Sequence, residues 1–272
     1  MKISQVGRIG WDIMVRFGER VENAVKQAGK IFMNTPVLKI SEKTGVANFV
    51  TRIDCQVQEF LVDEIHKIIP GSNIITEESA ENRFNMEKYT WILDPVDGTT
   101  NLIHDYNHSA VSLALFIEQR PALAIIYNPF RDEMFTAESG EGAYLNHKKI
   151  NVSSNGFLKD SLIGFGTNPY DRRKAQRTFE ITHQVFMNCH DIRRTGSAAL
   201  DIAYVACGKN DGFFEINLLP WDFAAGKIVL EEAGGKITNW DGNQPSVLSP
   251  DSIIATNGFI HEELLRFLVW EK

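Results

Sequence analysis

The chain has 272 residues, enough for one large domain or two small ones around a sizeable buried core. Its apolar and charged fractions, 43% and 23%, are those of an ordinary soluble globular protein, and its longest uncharged apolar run, residues 109–117, is too short to span a membrane. A formal charge of −7 argues against nucleic acid as the main partner but leaves small phosphate esters open, because a bound cation can supply positive charge locally.

In chain order, Val6, Ile9, Ile13 and Phe17, continued by Val21, Ala24 and Ala28, fall on one stripe. They predict a helix over the first thirty residues, with Gly29 as its stop. Residues 41–48 are small and polar, a loop holding Lys43, Gly45 and Asn48. Val57, Leu61, Ile65 and Ile68 predict a second helix after Asp54, ended by Pro70-Gly71. Ile74-Ile75 reads as a short strand running into Glu77-Glu78-Ser79. A stronger strand, Thr90-Trp91-Ile92-Leu93, ends at Asp94; Pro95 then turns the chain, Asp97 follows, and Gly98-Thr99-Thr100 opens a short helix.

Residues 110–117, 122–127 and 134–137 are strand-like and separated by turn residues, which predicts an antiparallel meander with further turns at Gly140-Glu141-Gly142 and Asn146-His147. Beyond Val152 come a strand at 161–165, a loop through Pro169, helices at 172–187 and 198–205, and an apolar strand Gly212-Phe213-Phe214 ended by Glu215. A helix from Asp222 to Gly234-Gly235, strands at 236–240 and 252–255, and a helix at 262–269 close the chain. With no repeat or linker, this interleaving predicts a mixed α/β fold in stacked layers. The odd, scattered Cys55, Cys189 and Cys207 match no zinc spacing and read as reduced thiols. Lys2, Arg8, Asp12 and Arg16 interrupt any apolar leader, so the expectation is a soluble, cytoplasmic protein without membrane attachment.

The chemistry concentrates in residues 90–101. Two carboxylates three residues apart, Asp94 and Asp97, can converge on one point at a strand end. Such an oxygen pair suits Mg²⁺, which is usually held by one or two carboxylates plus a substrate phosphate. The N–H groups of a Gly98-Thr99 helix start would suit that phosphate. Each piece also has a plain reading, since Pro-x-Asp-Gly is an ordinary turn and Asp an ordinary helix cap. Asp54, the Glu77-Glu78 pair and Asp222 likewise stand where apolar elements begin or end, and each alone reads as a cap or a solvated loop. His104, His108, His147 and His183 show no ligand-like pairing, and Gly164-Phe165-Gly166 lacks the third glycine of a dinucleotide fingerprint.

The run Asp94-Pro95-Val96-Asp97-Gly98-Thr99-Thr100-Asn101 closely resembles the signature of the inositol monophosphatase family, Mg²⁺-dependent, Li⁺-sensitive phosphatases. Lys43, Val50-Thr51-x-x-Asp54, Glu77-Glu78-Ser79, Gly196-Ser197-Ala198-Ala199, Trp221-Asp222-x-Ala-Ala-Gly and Glu232-Ala233-Gly234-Gly235 resemble its other signatures in the same order. The resemblance therefore runs from about residue 21 to about residue 265. It implies a layered αβαβα sandwich acting as a single catalytic unit. That unit would have two packed halves: a metal and phosphate half at about 1–151 and a substrate half at 152–272.

By the same resemblance, Glu77, Asp94 and the Val96 carbonyl hold one Mg²⁺, while Asp94, Asp97 and Asp222 hold a second. A third, more hydrated ion near Glu77 is left open. Thr99 would orient the attacking water and Asp54 accept its proton, with the N–H groups of Gly98 and Thr99 cradling the phosphate. Asp97, Gly196, Ser197, Ala198, Glu215 and Asp222 would lie along the polyol. Glu215, ending an apolar strand, also reads as a surface acid.

Two departures concern the metals: Asn48 stands where the family commonly has Asp, and Thr76 where it commonly has Gly. Asn48 puts the third ion in question. Arg172, Arg173 and Arg194 could bind a second phosphate, although Arg172-Arg173-Lys174 also reads as a solvated helix start. The implied activity is hydrolysis of inositol monophosphate by a homodimer. Fructose 1,6-bisphosphate, NADP(H) or a 3′-phosphonucleotide are alternatives of the same chemistry. A non-catalytic partner of transcription or ribosome-assembly machinery is the alternative of another class.

Overall fold

The computed structural model describes residues 17–35, 39–42, 49–79 and 81–269. The stripe residues Val6, Ile9 and Ile13, the charged Lys2, Arg8, Asp12 and Arg16, and the loop residues Lys43, Gly45 and Asn48 lie outside them.

Helix α1 (Glu19–Asn34) buries Val21, Ala24, Val25, Ala28 and Phe32 along one stripe. It runs straight through Gly29 instead of stopping there. The helix crosses Tyr127 at that point, where a Cβ would stand 2.5 Å from the ring, so the glycine serves packing and not termination. Strands β1 (Lys39–Glu42) and β2 (Phe49–Thr51) pair antiparallel and lead into α2 (Arg52–Ile68), which buries Val57, Leu61, Ile65 and Ile68.

Against these helices lies a sheet of β3 (Asn73–Thr76), β4 (Tyr89–Asp97), β5 (Ala110–Ile117), β6 (Arg120–Asn128), β7 (Glu133–Glu138), β8 (Gly142–Leu145) and β9 (Lys148–Ile150), in that spatial order. Only the first pair, β3 with β4, is parallel; from β4 onward it is the predicted meander, and the turn expected at Asn146-His147 joins two further short strands, β8 and β9, that the sequence reading did not assign. Residues alternate between its faces, as pleating dictates. Trp91, Leu93, Val111, Leu113, Leu115 and Ile125 pack toward α1 and α2, while Ile92, Ala114, Phe116, Ala124, Ile126 and Phe135 face the other way. Because both faces are covered, β5 is buried at every position and carries no polar alternation.

The chain does not turn at Pro95. Strand β4 continues to Asp97 through an irregularity: Asp94 pairs with Ser112 and Asp97 with Ala110, so β4 holds one extra residue there. Proline, lacking an N–H, is tolerated at such a bulge. The short helix α3 (Thr99–Ile103) follows after Gly98 at φ +93°.

The second sheet has spatial order β11-β10-β12-β14-β13. Its members are β10 (Leu162–Phe165), β11 (Asp191–Arg193), β12 (Gly212–Leu218), β13 (Lys236–Asn239) and β14 (Asp251–Thr256). Residues Arg172–Lys174 form a 3₁₀ turn, and the helix predicted there, α4 (Ala175–Phe186), starts only afterwards. Helices α5 (Ala198–Ala206) and α6 (Pro220–Glu232) lie between the two sheets, and α4 with α7 (His261–Leu268) covers the outer face of the second. All nine positions of α5 are buried. The order of layers is thus αβαβα. Helix α6 begins at Pro220, two residues earlier than predicted, with proline in the first turn where its missing N–H costs nothing. Among the described residues, no helix is long and apolar enough to cross a membrane, and Cys55, Cys189 and Cys207 are unpaired with one another.

Candidate active site

The bulge in β4 and the start of α6 deliver carboxylates to one place. Asp94, Val96, Asp97, Gly98 and Thr99 line a cavity of about 310 Å³, joined by Glu77 beyond β3, Asp222 of α6 and Glu215 of β12. Each acid has a local tether. The Val96 N–H donates to Asp94 Oδ1 at 2.9 Å. Asp97 Oδ2 accepts from the Ser197 hydroxyl and, at 2.8 Å, from the Ala199 N–H, which ties β4 to the first turn of α5. Asp222 Oδ2 accepts from the Leu219 N–H at 2.7 Å, so it caps α6 while facing the cavity.

Asp54 combines two roles in the same way. Its Oδ2 accepts from the Thr51 N–H at 2.8 Å while the Thr51 hydroxyl receives the Ile53 N–H at 3.1 Å, a capping box for α2. Its Oδ1 accepts from the Thr99 hydroxyl at 3.0 Å. The plain reading of Asp54 as a cap and the functional one use different oxygens of one carboxylate.

The electrostatics of this wall are one-sided. Burial holds Asp94 well above the usual carboxylate range, and repulsion from Glu77, Asp97 and Asp222 adds to it. Burial pushes Asp97 up to about 6, against the hydrogen bonds from Ser197 and Ala199. Asp222 is raised well above its usual value by burial and then by Asp97. Burial also raises Asp54, and lifts Glu215 to about 7. Arg194 is the cation that eases Asp97 and Glu215.

A pocket of buried, mutually repelling acids fits a hard cation. Among the described residues, no three carboxylate, histidine or cysteine side chains stand close enough to enclose a metal ion unaided. A cation here would take further ligands from the Val96 carbonyl, water and substrate, which matches the way Mg²⁺ is bound.

The other predicted residues divide. Gly196, Ser197 and Ala198 line a smaller adjoining cavity of about 70 Å³, together with Arg194 and Asp201. Arg194 Nη2 donates to the Thr167 hydroxyl at 3.0 Å, and its Nη1 would lie 2.3 Å from any Cβ on Gly196, which sits at φ +94°. Arg172 and Arg173 lie outside both cavities, exposed on the 3₁₀ turn, with Arg173 paired to Asp171 at 2.7 Å. Glu215 does not end its strand: it is interior to β12 and buried, contrary to its reading as a surface acid. Gly166 makes room for it, since a Cβ there would fall 1.9 Å from its carboxylate.

Sequence reasoning missed Asn168, Tyr170, Asn217 and the lining role of Trp221. Asn168 and Asn217 have positive φ, 39° and 60°, a conformation asparagine tolerates better than most residues. Tyr170 exposes about half its surface, 48%, yet its hydroxyl is held well above its ordinary pKa by burial and by the acids around the cavity.

The sequence profile of the inositol monophosphatase family matches residues 4–271. The chain is 39% identical over 246 residues to the Nus factor SuhB of Escherichia coli (strain K12), covering 89% of this chain and 91% of that protein. It is 40% identical over 238 residues to the inositol-1-monophosphatase of Synechocystis sp., covering 85% and 80%. In structure it is similar to the extragenic suppressor protein suhB from Bartonella henselae, with a TM-score of 0.86, 34% identity, and coverage of 94% and 99%.

Proposed function

The chain belongs to the inositol monophosphatase family, and from that premise we propose that it is a Mg²⁺-dependent phosphomonoester hydrolase acting on inositol monophosphate. The observation that carries this reading is the Thr99–Asp54 hydrogen bond, made beside a cavity that Glu77, Asp94, Asp97 and Asp222 also line.

Glu77, Asp94, the Val96 carbonyl, Asp97 and Asp222 would hold two Mg²⁺ ions. When bound, the ions supply positive charge to the phosphoryl group in transfer and acidify a water molecule. Thr99 gives its own proton to Asp54, which leaves its oxygen free to accept one from the attacking water. The proton thus passes from water to Oγ1 of Thr99 while the proton of Thr99 passes to Asp54. Burial raises the proton affinity of Asp54 and favours that direction. The N–H groups of Gly98 and Thr99 hold the phosphate, and Gly196, Ser197, Ala198, Glu215, Asp97 and Asp222 border the polyol. The active form in this reading is a cytoplasmic homodimer, which sedimentation of the purified protein would check.

The test is phosphate release with and without Mg²⁺ from inositol 1-phosphate, fructose 1,6-bisphosphate, NADP and a 3′-phosphonucleotide, with Asp94→Asn as control. Inositol 1-phosphate leading by ten-fold or more, about 1.4 kcal/mol of discrimination, supports the reading, provided that Asp94→Asn abolishes turnover. A bisphosphate or NADP in the lead moves attention to Arg194. No turnover of any ester sinks the enzyme reading in favour of a second one, a partner role in transcription, whose support is the relatives named Nus factor SuhB.

A further inference from the structure

Strands β3 and β4 are parallel, so the chain must cross back from the end of one to the start of the other, and residues 77–88 make that crossing. Glu77 stands at its first position. Local bonds tie the crossover to β3. Asn82 Nδ2 donates to the Thr76 carbonyl at 2.7 Å and Asn82 Oδ1 accepts the Thr76 N–H at 2.9 Å, while Asn73 Nδ2 donates to the Asn85 carbonyl at 3.0 Å. Its tie to the middle layer is apolar. Phe84 sets its ring against Trp221, with centroids 6.3 Å apart and planes at 33°, and Met86 packs against the same layer. Phe84 is otherwise open to solvent, 47% exposed, and lines neither cavity.

Trp221 is a fixed partner. It is 7% exposed, its carbonyl accepts the Ser112 hydroxyl at 3.2 Å, and Asp222 follows it directly. The Phe84–Trp221 pair therefore joins the segment that begins at Glu77 to the helix turn that carries Asp222. Those two acids line one cavity and repel each other. The Glu77 N–H reaches the Leu93 carbonyl at 3.4 Å, longer than a strong hydrogen bond, so the course of the crossover also decides where Glu77 stands.

We propose that Phe84 is a positioning residue for the cation site: by packing on Trp221 it holds the crossover, and Glu77 with it, facing Asp222 across the cavity. An aromatic pair at this separation has a preferred geometry, which a truncated side chain cannot reproduce. Phe84 lies outside the cavity, so its effect falls on the concentration of cation needed and not on the chemical step. The inference rests on the metal-dependent reading above and names a residue, remote from the reacting atoms, through which that site is kept in shape.

The experiment measures Mn²⁺ binding to the full-length protein without any ester, by electron paramagnetic resonance, and separately the Mg²⁺ dependence of inositol 1-phosphate hydrolysis. The proteins are wild type, Phe84→Ala and Phe84→Tyr. Phe84→Ala is expected to weaken Mn²⁺ binding about five-fold and to raise the half-saturating Mg²⁺ concentration by a similar factor, with kcat at saturating Mg²⁺ within about two-fold of wild type. Phe84→Tyr keeps the ring and is expected to match wild type in both assays. Unchanged Mn²⁺ binding in Phe84→Ala, or an equal loss in Phe84→Tyr, overturns the role of Phe84. So does a loss of Mn²⁺ binding matched by a fall in the melting temperature of the metal-free protein, which would mark general loosening. Wild-type protein that binds Mn²⁺ but hydrolyses no ester sinks the phosphatase reading and leaves the Mn²⁺ comparison to decide on Phe84. Wild-type protein that binds no Mn²⁺ removes both.

Discussion

His261 makes the second half of the molecule sensitive to acid in a way that can be worked out atom by atom. It is 1% exposed, with Thr238 Oγ1 at 3.0 Å from Nε2 and Thr256 Oγ1 at 2.9 Å from Nδ1. The Thr238 hydroxyl donates to the Asn239 carbonyl at 2.8 Å, so it can only accept from the ring, which puts the proton on Nε2. Thr256 Oγ1 already accepts the Gly258 N–H at 3.1 Å and gives its proton to Nδ1. The neutral ring is fully satisfied; a second proton on Nδ1 would face a hydroxyl hydrogen. Burial, with Lys236 nearby, lowers the pKa from 6.5 to about 4.

The unfolded chain therefore binds a proton that the folded chain refuses between those values. Stability is fully present above the unfolded pKa and is lost as pH falls toward the folded one. Between pH 7 and pH 5 the loss from this one residue comes to about 1.8 kcal/mol. The raised carboxylates act in the opposite direction, because they take up protons on the folded side first. The informative quantity is consequently the difference between wild type and His261→Gln in urea unfolding across that range. The variant is expected to start less stable at pH 7 and to lose roughly 2 kcal/mol less on acidification to pH 5. Parallel curves for the two proteins would refute the tautomer assignment and the argument built on it.

Asp54→Asn keeps an oxygen for the Thr51 N–H and so retains the cap of α2; kcat is expected to fall at least about 100-fold with little change in melting temperature. Asp54→Ala should lose about 1 kcal/mol of stability in addition, and equal melting temperatures for the two variants would contradict the shared cap. Gly29→Ala improves helix propensity by about 1 kcal/mol. It nevertheless places a Cβ 2.5 Å from the Tyr127 ring, so overpacking, which costs about 1–3 kcal/mol, should win. A raised melting temperature would show that the ring moves aside freely. Gly166→Ala displaces the Glu215 carboxylate and is expected to raise KM for inositol 1-phosphate about ten-fold, by loss of a hydroxyl contact. An unchanged KM would remove Glu215 from the polyol site.

Where the sequence was legible, periodicity did the work. The stripe of α1 and the spacing of α2 declared their helices because a packed face repeats at a fixed interval, and β5 and β6 declared themselves as short apolar runs bounded by turn residues. The acids were legible through their wording, and Asp94, Asp97, Glu77 and Asp222 do meet at one cavity. What escaped was decided by partners distant in the chain. Gly29 looks like a helix stop until Tyr127 is seen lying on it. Pro95 looks like a turn until β4 is seen to resume its pairing with β5 at Asp97, one residue out of step. Glu215 looks like a surface acid until Gly166 is seen making room for it. Strand β11 has only three residues, too few for any period to register. Asn168 carries no local signal beyond an Asn-Pro turn, and its place beside the cavity follows from its backbone bond to Glu215, 47 residues further on.

The middle layer has a consequence for how the chain comes into being. Helix α5 has no solvated side, and α6 is buried at nine of its thirteen positions, so neither can stand until both sheets flank it. During synthesis, Ile92, Ala114, Ile126 and Phe135 therefore wait with their face bare while the second half is still being made. Asp222 arrives with α6 itself, so the fourth acid reaches the other three only when that bare face is finally covered. No fragment short of α6 can assemble the complete set of acids, and the sheet that flanks α6 from the other side closes later still, when β14 has been made to lie between β12 and β13.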